Sequence, residues 1–172
     1  MSTHNRESMV KPDFLSEEDF RGLKDATASL ERIRSDGKAD VERYLANPEG
    51  WASGKGSPSG LPTLLLTTIG RKSGEQRTTP LVFAHHGDSV AIVGSLAGYD
   101  QDPAWILNLR ANPKCWLQLD HKKSAATARE ASAEERKELW PKMDAVFPAY
   151  AYFQKQTERP FPFMIVTPTA AA

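Results

Sequence analysis

Residues 70–80 concentrate side chains that bind anions. The segment reads Gly-Arg-Lys-Ser-Gly-Glu-Gln-Arg-Thr-Thr-Pro and carries three cations, three hydroxyls and two glycines. Glycine lets backbone N–H groups approach a ligand, and Arg, Lys and hydroxyl donors match phosphate or carboxylate oxygens. We predict an anion clamp here, although a solvated basic turn would have the same composition. A P-loop is excluded because the Gly-x-x-x-x-Gly-Lys-Ser/Thr spacing is absent.

Two later segments carry groups that could border a flat aromatic ligand. Ser95 provides a hydroxyl within the small-residue segment Gly-Ser-Leu-Ala-Gly-Tyr. Trp105 and Asn108 lie three positions apart in a predicted helix, which places an indole and an amide on one face. Each also has an ordinary structural explanation: a turn for Ser95, core packing for Trp105 and a local backbone contact for Asn108.

An aromatic run at residues 147–153 could form another wall of such a pocket. The spacing of Phe147, Tyr150 and Phe153 places the three rings on one helical face. The phenol of Tyr150 suits proton donation to a carbonyl or nitro oxygen. Aromatic stripes of this kind are also common in hydrophobic cores.

The metal-ligating residue types do not cluster. His4, His85, His86 and His121 show no ligand spacing, and the adjacent pair in a strand would point to opposite faces. Cys115 is the single cysteine, which excludes an intrachain disulfide and a thiolate metal cage. We predict no metal site and a reducing compartment.

Composition excludes several classes of protein. The chain has 172 residues, 40% of them hydrophobic and 26% charged, as in one soluble globular domain. Its 22 basic and 22 acidic side chains give no net charge, so no overall field attracts nucleic acid or anionic lipid. No apolar run reaches the roughly 20 residues of a membrane span, and residues 1–14 lack a signal-peptide pattern. We predict a cytoplasmic protein without membrane association.

The elements that must position these residues follow from turn residues and periodicity. Residues 1–13 are polar and predicted to be loose, and a capping signal at Ser16 begins an amphipathic helix that ends near Gly37. A short helix over residues 39–46 and a loop over residues 50–60 follow.

The rest of the chain alternates strands with two helical segments. Asp102 is the predicted N-cap of the first helix, and Ser132 with Glu135 forms a capping box for the second, which Pro141 should kink or split. Strands are predicted over residues 63–69, 78–84, 90–94, 114–119, 124–129 and 161–167. The order predicts an α+β fold with an antiparallel sheet rolled into a small barrel. We divide the chain into a helical extension, residues 1–60, and a barrel domain, residues 61–172.

Three blocks in one order resemble the deazaflavin-dependent nitroreductase family. They are Thr-Thr-Ile-Gly-Arg-Lys-Ser-Gly at residues 67–74, Arg-Thr-Thr-Pro-Leu at 77–81, and Pro-Ala-Trp with Asn-Leu and Ala-Asn-Pro within 103–113. The resemblance spans about residues 61–168. It implies a split β-barrel of the FMN-binding type, with flanking helices, that binds coenzyme F420. The implied activity is hydride transfer from the reduced deazaflavin to a quinone, nitroaromatic or activated enone, with FMN as the alternative cofactor.

The resemblance also implies roles for individual residues. Arg71, Lys72, Ser73 and Arg77 would bind the phosphate and acidic tail of the cofactor. Tyr150 and Ser95 would act in catalysis, and Tyr150 with Phe147 and Phe153 would contact the acceptor. The residues implied to border the ring are Thr79, Pro80, Leu81, Ser95, Trp105 and Asn108.

Three positions depart from the family pattern. Leu96 and Asp102 stand where relatives often have a basic residue or histidine, and Glu75 lies within the basic turn. Added negative charge near an anionic ligand would weaken its binding. Two aromatic positions that are often tyrosine are Phe147 and Phe153, which makes the expected pocket drier.

These departures keep other functions open. The alternatives are a cofactor-independent hydrolase or other enzyme acting on a small aromatic nitro or ester compound, and a non-enzymatic binding protein for the cofactor or a small molecule. The first helix could form a lid over the pocket or lie on a membrane, and its acidic face favours the lid. A homodimer is also possible.

Overall fold

The computed structural model of the chain describes residues 9–171 and contains one seven-stranded antiparallel sheet. The strands lie in the order β2-β1-β5-β6-β7-β4-β3, so β2 and β3 form the two edges. Their bounds are β1 Thr63–Ile69, β2 Gln76–Val82, β3 Ala84–His86, β4 Ser89–Val93, β5 Lys114–Leu119, β6 Lys122–Glu130 and β7 Phe163–Ala171.

Five α-helices flank this sheet. Two precede it and three are inserted between its strands. Their bounds are α1 Glu17–Ala26, α2 Leu30–Ala46, α3 Ala104–Ala111, α4 Ala133–Val146 and α5 Ala149–Gln154. The predicted α+β class with an antiparallel sheet is confirmed.

Local signals explain several of the confirmed elements. Gly87 and Asp88 join β3 to β4, and Gly87 has φ +60°. In this hairpin, His86 pairs with Ser89. The capping box forms as predicted, because the Ser132 side chain accepts from the Glu135 backbone N–H and the Glu135 carboxylate accepts from the Ser132 N–H.

Among the described residues, the core consists of two large hydrophobic clusters and a small third one, which contains Tyr44, Trp51 and Leu65. One large cluster contains Ile92, Ile106 and Leu117 and packs α3 against the sheet. The other large cluster contains Phe161 and Met143, and it also includes residues that precede the sheet, among them Phe20 of α1. The N-terminal helices therefore share the core of the sheet.

Tyr44 attaches α2 to the sheet. Its buried hydroxyl donates to the backbone oxygens of Thr63 and Gln118, both at 3.2 Å, and accepts from the Asp120 N–H at 3.0 Å. Burial raises the pKa of Tyr44 to about 12, so the phenol stays protonated. Because α2 packs on β2, this anchor fixes the helix beside the basic turn.

The predicted end of the first helix near Gly37 is wrong. The break lies at Thr27–Ser29, where the Thr27 hydroxyl donates to the Leu23 carbonyl and the Ser29 hydroxyl accepts from the Arg32 N–H. Gly37 lies inside α2, where an added Cβ atom would make ordinary van der Waals contact with Pro80 at 3.8 Å. This glycine faces β2 and does not end the helix.

Another prediction for the helices is also wrong. Asp102 does not cap α3, whose N-cap is Pro103, because the Asp102 carboxylate pairs with two arginines instead. Helix α4 continues through Pro141 and is not split there. The exposed Pro141 lies on the solvent side, where water can satisfy the carbonyl that loses its helical partner.

The N-terminal prediction is tested only in part. Residues 1–8, including His4, lie outside the described residues. Met9 is buried in a core cluster, so the predicted loose segment does not extend through residue 13. Among residues 9–171, no helix is long and apolar enough to cross a membrane.

Candidate functional site

A cavity of about 980 Å³ lies between α2, edge strand β2, helix α3 and the junction of α4 with α5. It brings together all thirteen residues that the sequence predicts for the site. They are Arg71, Lys72, Ser73, Arg77, Thr79, Pro80, Leu81, Ser95, Trp105, Asn108, Phe147, Tyr150 and Phe153. Four separate segments of the chain thus meet at one place.

The basic turn between β1 and β2 holds its shape by internal hydrogen bonds. The Gly70 N–H donates to the Glu75 carbonyl at 2.7 Å, and the Gly74 N–H donates to the Gly70 carbonyl at 2.8 Å. Gly74 has φ +72°, which favours glycine. The Ser73 hydroxyl accepts from the Glu75 N–H at 3.1 Å and keeps its own proton for donation to a ligand. The exposed Arg71 and Lys72 side chains border the cavity from this turn.

Asn108 fastens this turn to α3. Its Oδ1 accepts from the Arg71 backbone N–H at 3.2 Å and from the Arg71 guanidinium at 3.1 Å. Its Nδ2 donates to the Thr68 hydroxyl at 3.1 Å. Asn108 is 3% exposed and Thr68 is 1% exposed, so these bonds are shielded from water. The amide therefore positions the Arg71 side chain at the cavity, which local sequence could not show.

Residues 94–102 form another wall with an unusual backbone. Leu96 and Ala97 have φ values of 41° and 52°, and Gly98 has φ 81°. Positive φ is costly for residues with a Cβ atom and persists only where surrounding contacts impose it. Ser95 lies at the start of this turn, and no hydrogen bond of its hydroxyl to another described residue is found.

Arg159 supplies those contacts. Its guanidinium donates to the carbonyl oxygens of Gly94, Ser95 and Tyr99 at 2.9 to 3.0 Å. It also forms a 2.7 Å ion pair with Asp102. Desolvation lowers the pKa of Arg159, while the Asp102 carboxylate opposes that change. Sequence reasoning missed Arg159, which lies far along the chain from the turn that it holds.

The negative charge expected from Asp102 is neutralised locally. Its two oxygens bind Arg159 and Arg110, each at 2.7 Å. Arg110 in turn pairs with Glu130 at 2.7 Å. Asp102 is absent from the cavity lining, so its carboxylate does not repel an anionic ligand there. Glu75 remains closer to the site, and it pairs with Arg77 at 3.1 Å on the exposed part of the turn.

Three aromatic rings line the opposite side of the cavity. The Phe147 ring lies edge-on to Tyr150 and Phe153, with centroid distances of 5.1 and 6.3 Å. Phe147 follows α4, whereas the other two belong to α5. The interruption between the two helices at Pro148 therefore helps to bring the rings together. The Tyr150 hydroxyl makes no hydrogen bond to another described residue. Burial raises its pKa, which keeps the phenol neutral.

Helix α2 adds a wall that sequence reasoning did not assign. The lining residues of α2 are Ile33, Arg34, Gly37, Lys38 and Val41, on one helical face. The signal was present in their spacing, but the predicted stop at residue 37 divided the face in two. This wall is consistent with the hypothesis that an N-terminal helix covers the pocket. The Tyr99 hydroxyl also binds the connection between α1 and α2, because it donates to the Thr27 carbonyl at 2.8 Å.

The arrangement suits a flat, partly apolar ligand with an anionic extension. Pro80, Leu81 and Trp105 provide apolar surface, and Arg71 and Lys72 provide positive charge at one end. The volume is near the upper end of small-molecule sites, which is enough for a cofactor and part of a second ligand. Among residues 9–171, no group of histidine, cysteine or carboxylate side chains could hold a metal ion.

Comparison with known proteins decides between the possible ligands. The sequence model of one family, described as F420H(2)-dependent quinone reductase, matches residues 40–168. The chain belongs to this family. Rv3178 of Mycobacterium tuberculosis is 34% identical over 115 residues, which cover 67% of this chain and 97% of the relative. The F420H(2)-dependent quinone reductase Rv1261c of the same organism is 34% identical over 113 residues, covering 64% and 76%.

Solved structures agree on the fold. An F420-H2 dependent reductase, FDR-A, has a TM-score of 0.57 at 38% identity, covering 61% of this chain and 93% of its own. A structure described as a domain-swapped dimer has a TM-score of 0.58 at 33% identity, covering 75% and 95%. The predicted split β-barrel, oxidoreductase class and coenzyme F420 are confirmed. The hydrolase and the non-enzymatic binding protein are therefore set aside.

Proposed function

We propose that this chain reduces a quinone with a hydride from reduced coenzyme F420 in the cavity between α2 and the sheet. The observation that carries this proposal is that a cationic turn and an apolar aromatic wall line the same cavity. When bound, the reduced deazaflavin supplies the hydride. The protein's own residues bind the cofactor, orient the acceptor and exclude water from the space between them.

The turn residues bind the phosphate and acidic part of the cofactor. Arg71 and Lys72 supply charge, and Ser73 supplies the hydroxyl proton that the turn leaves unused. Arg77 contributes after release from its exposed pair with Glu75, which is a weak interaction. Asn108 acts through Arg71 as a positioning residue.

The wall formed by β2 and α3 would hold the flat ring of the cofactor. Thr79, Pro80 and Leu81 line one side of this wall, and Trp105 lines another. Ser95 presents a hydroxyl from the turn that Arg159 holds, where it can bond to a polar edge of the ring.

The acceptor occupies the space beside Phe147, Tyr150 and Phe153. Two phenyl rings favour an apolar acceptor, and the neutral Tyr150 phenol can donate a hydrogen bond to its carbonyl oxygen. A quinone meets both requirements, and nitroaromatics and activated enones present a similar oxygen.

The remaining assignments follow the same proposal. Residues 61–172 form the cofactor-binding barrel and residues 1–60 the helical extension. A cytoplasmic location is supported by the single, buried Cys115, whose pKa burial raises to about 12. A homodimer is supported by the description of one structural relative as a domain-swapped dimer. The absence of net charge supports neither a nucleic acid nor a membrane as partner.

Replacing Arg71 tests the clamp. The Arg71→Ala variant should bind oxidised F420 roughly tenfold or more weakly, because a charged hydrogen bond to the phosphate is lost. Fluorescence titration of the purified protein measures this affinity. Arg43→Ala is the control, because Arg43 is exposed, pairs with Asp40 at 2.7 Å and does not line the cavity. Equal affinity of the Arg71 variant and the wild type would contradict the clamp.

A further inference from the structure

Arg34 and Lys38 place two positive charges on the α2 side of the cavity. They lie four positions apart and therefore share a helical face with Gly37, which also lines the cavity. Both side chains are exposed and line the same cavity as the basic turn. The cavity thus has cations on two different elements.

The other arginines of α2 are neutralised within the helix. Arg32 pairs with Asp36 at 2.9 Å, and Arg43 pairs with Asp40 at 2.7 Å. By contrast, the side chains of Arg34 and Lys38 form no ion pair with a carboxylate among the described residues. Like charges four positions apart destabilise an isolated helix. The pair therefore costs helix stability unless an anion lies against it.

The local balance of charge points to an anionic ligand with more than one charged group. Five cations line the cavity, namely Arg34, Lys38, Arg71, Lys72 and Arg77. One carboxylate, that of Glu75, pairs with a member of this set. The chain as a whole has no net charge, so acidic side chains elsewhere balance this local excess. A single phosphate at the turn would leave the α2 pair unused.

We propose that Arg34 and Lys38 form a second anion subsite that binds the outer carboxylates of the cofactor's acidic tail, while the turn binds the phosphate and the acidic groups next to it. This inference rests on the proposed function. The subsite makes the enzyme sensitive to the number of carboxylates that the cofactor carries. The α2 wall then contributes to cofactor selection as well as to covering the cavity.

The test compares two forms of oxidised F420 by fluorescence titration. One form has its full carboxylate tail, and the other keeps the phosphate but lacks the tail. The double variant Arg34→Gln/Lys38→Gln should lose about five- to tenfold in affinity for the tailed form, as expected for two partly exposed ion pairs. Its affinity for the tail-less form should change less than about twofold. Higher salt should reduce the preference of the wild type for the tailed form, because exposed ion pairs are screened.

Two control variants separate charge from position. Arg32→Gln removes one charge from the same helix outside the cavity lining and should bind both forms as the wild type does. The exchange Arg34→Lys/Lys38→Arg keeps both charges and should keep the preference for the tail.

Each alternative result has a definite meaning. Unchanged affinity of the double variant for the tailed form would overturn the subsite. Equal losses for both forms would also overturn it, because the pair would then act on the ring or phosphate. If the wild type bound neither form, the proposed function itself would be wrong. Binding of both forms by the wild type with equal affinity would sustain that function and contradict the subsite.

Discussion

Tyr150 keeps its phenolic proton throughout the pH range in which enzymes work, because burial disfavours the charged phenolate and raises the pKa. The hydroxyl borders the cavity and makes no hydrogen bond to another described residue. A neutral phenol can stabilise negative charge that develops on an acceptor oxygen by donating a hydrogen bond. The raised pKa makes complete proton transfer from this group less favourable than the sequence alone suggests.

The Tyr150→Phe variant should lower kcat/KM for a quinone by about ten- to a hundredfold, the usual effect of losing a hydrogen bond to a charged group. The affinity for F420 should change less than about twofold, since the acceptor side of the cavity is altered. Steady-state kinetics at several pH values would measure the effect. The wild-type profile should show no ionisation of a tyrosine near neutral pH.

Tyr152→Phe is the matched control for this variant. Tyr152 lies on the same helix, is buried against Phe20 and does not line the cavity. The control should retain the wild-type kcat/KM. If Tyr150→Phe turned over quinone at the wild-type rate, its role with the acceptor would be refuted.

Residue type and spacing predicted residues that line one cavity, but they did not reveal how those residues are held. The cations of the turn and the rings at positions 147, 150 and 153 were identifiable because their chemistry is explicit in the sequence. Asn108 was expected to border the ring, and it lines the cavity, but its amide also bonds to Arg71 and Thr68. That partnership spans 37 to 40 positions and depends on how α3 crosses the sheet, which residue spacing does not encode.

Among the elements, the turn at residues 96–98 depends most on a distant side chain. Arg159 bonds three of the carbonyls around this turn and also pairs with Asp102. Its side chain is 13% exposed, so water cannot replace these bonds fully. The positive φ values at Leu96 and Ala97 need this support.

The Arg159→Met variant should lower the free energy of unfolding by about 2–3 kcal/mol, because buried carbonyls lose their donors. The melting temperature should fall by roughly 5–10 °C for a chain of this size. F420 affinity should also fall, because Ser95 moves with the turn. Thermal unfolding and fluorescence titration would measure the two effects.

Arg129→Met provides the comparison for Arg159. Arg129 is exposed and pairs with Glu135 at 2.7 Å, so its loss should reduce stability much less than the loss of Arg159 does. It should leave cofactor affinity unchanged. Equal stability of the two variants would show that Arg159 does not support the turn.

The N-terminus of α4 contains Glu135, whose contribution to the stability of the folded state depends on pH. Hydrogen bonds from Arg129 and from the Ser132 N–H lower the pKa of Glu135 from 4.5 to about 2. A carboxyl group whose pKa is lower in the folded state stabilises that state at pH values above the pKa of the unfolded state. This contribution disappears as the pH falls through the pKa of the folded state. The stabilisation is therefore complete above about pH 5 and is lost towards pH 2.

The Glu135→Gln variant should be less stable than the wild type at pH 6, and the difference should shrink as the pH is lowered from 5 to 3. Denaturant unfolding across this range would measure the difference. Glu138→Gln is a control on the same helix, because Glu138 is exposed and forms no ion pair with another described residue. A difference that stayed constant with pH would contradict the assignment.

Element boundaries were predictable where a local signal was decisive. The capping box of α4 and the Gly87 turn are set by residues within four positions of each other. The prediction at Gly37 was wrong because a glycine often ends a helix, whereas here α2 continues through it and packs on β2, which is distant in sequence. Asp102 was wrongly predicted as the N-cap of α3, since its arginine partners lie 8 and 57 positions away in the sequence.

At the scale of the whole molecule, a neutral chain concentrates positive charge at one cavity. The net charge is zero, whereas the turn and α2 together contribute five cations to the lining. Such a distribution favours a small anionic ligand over an extended polyanion. Helices α1 and α2 share core contacts with the sheet and α5, so they are integral to the shape of the site.

The central claim is that reduced F420 is the hydride donor for a quinone in this cavity. The most direct measurement follows the anaerobic oxidation of reduced F420 by menadione, through the returning absorbance of the oxidised deazaflavin, with reduced FMN in a parallel reaction. We predict oxidation of F420 that requires both the enzyme and menadione, with much slower turnover of FMN. A preference for FMN, or no enzyme-dependent oxidation of reduced F420, would contradict the account.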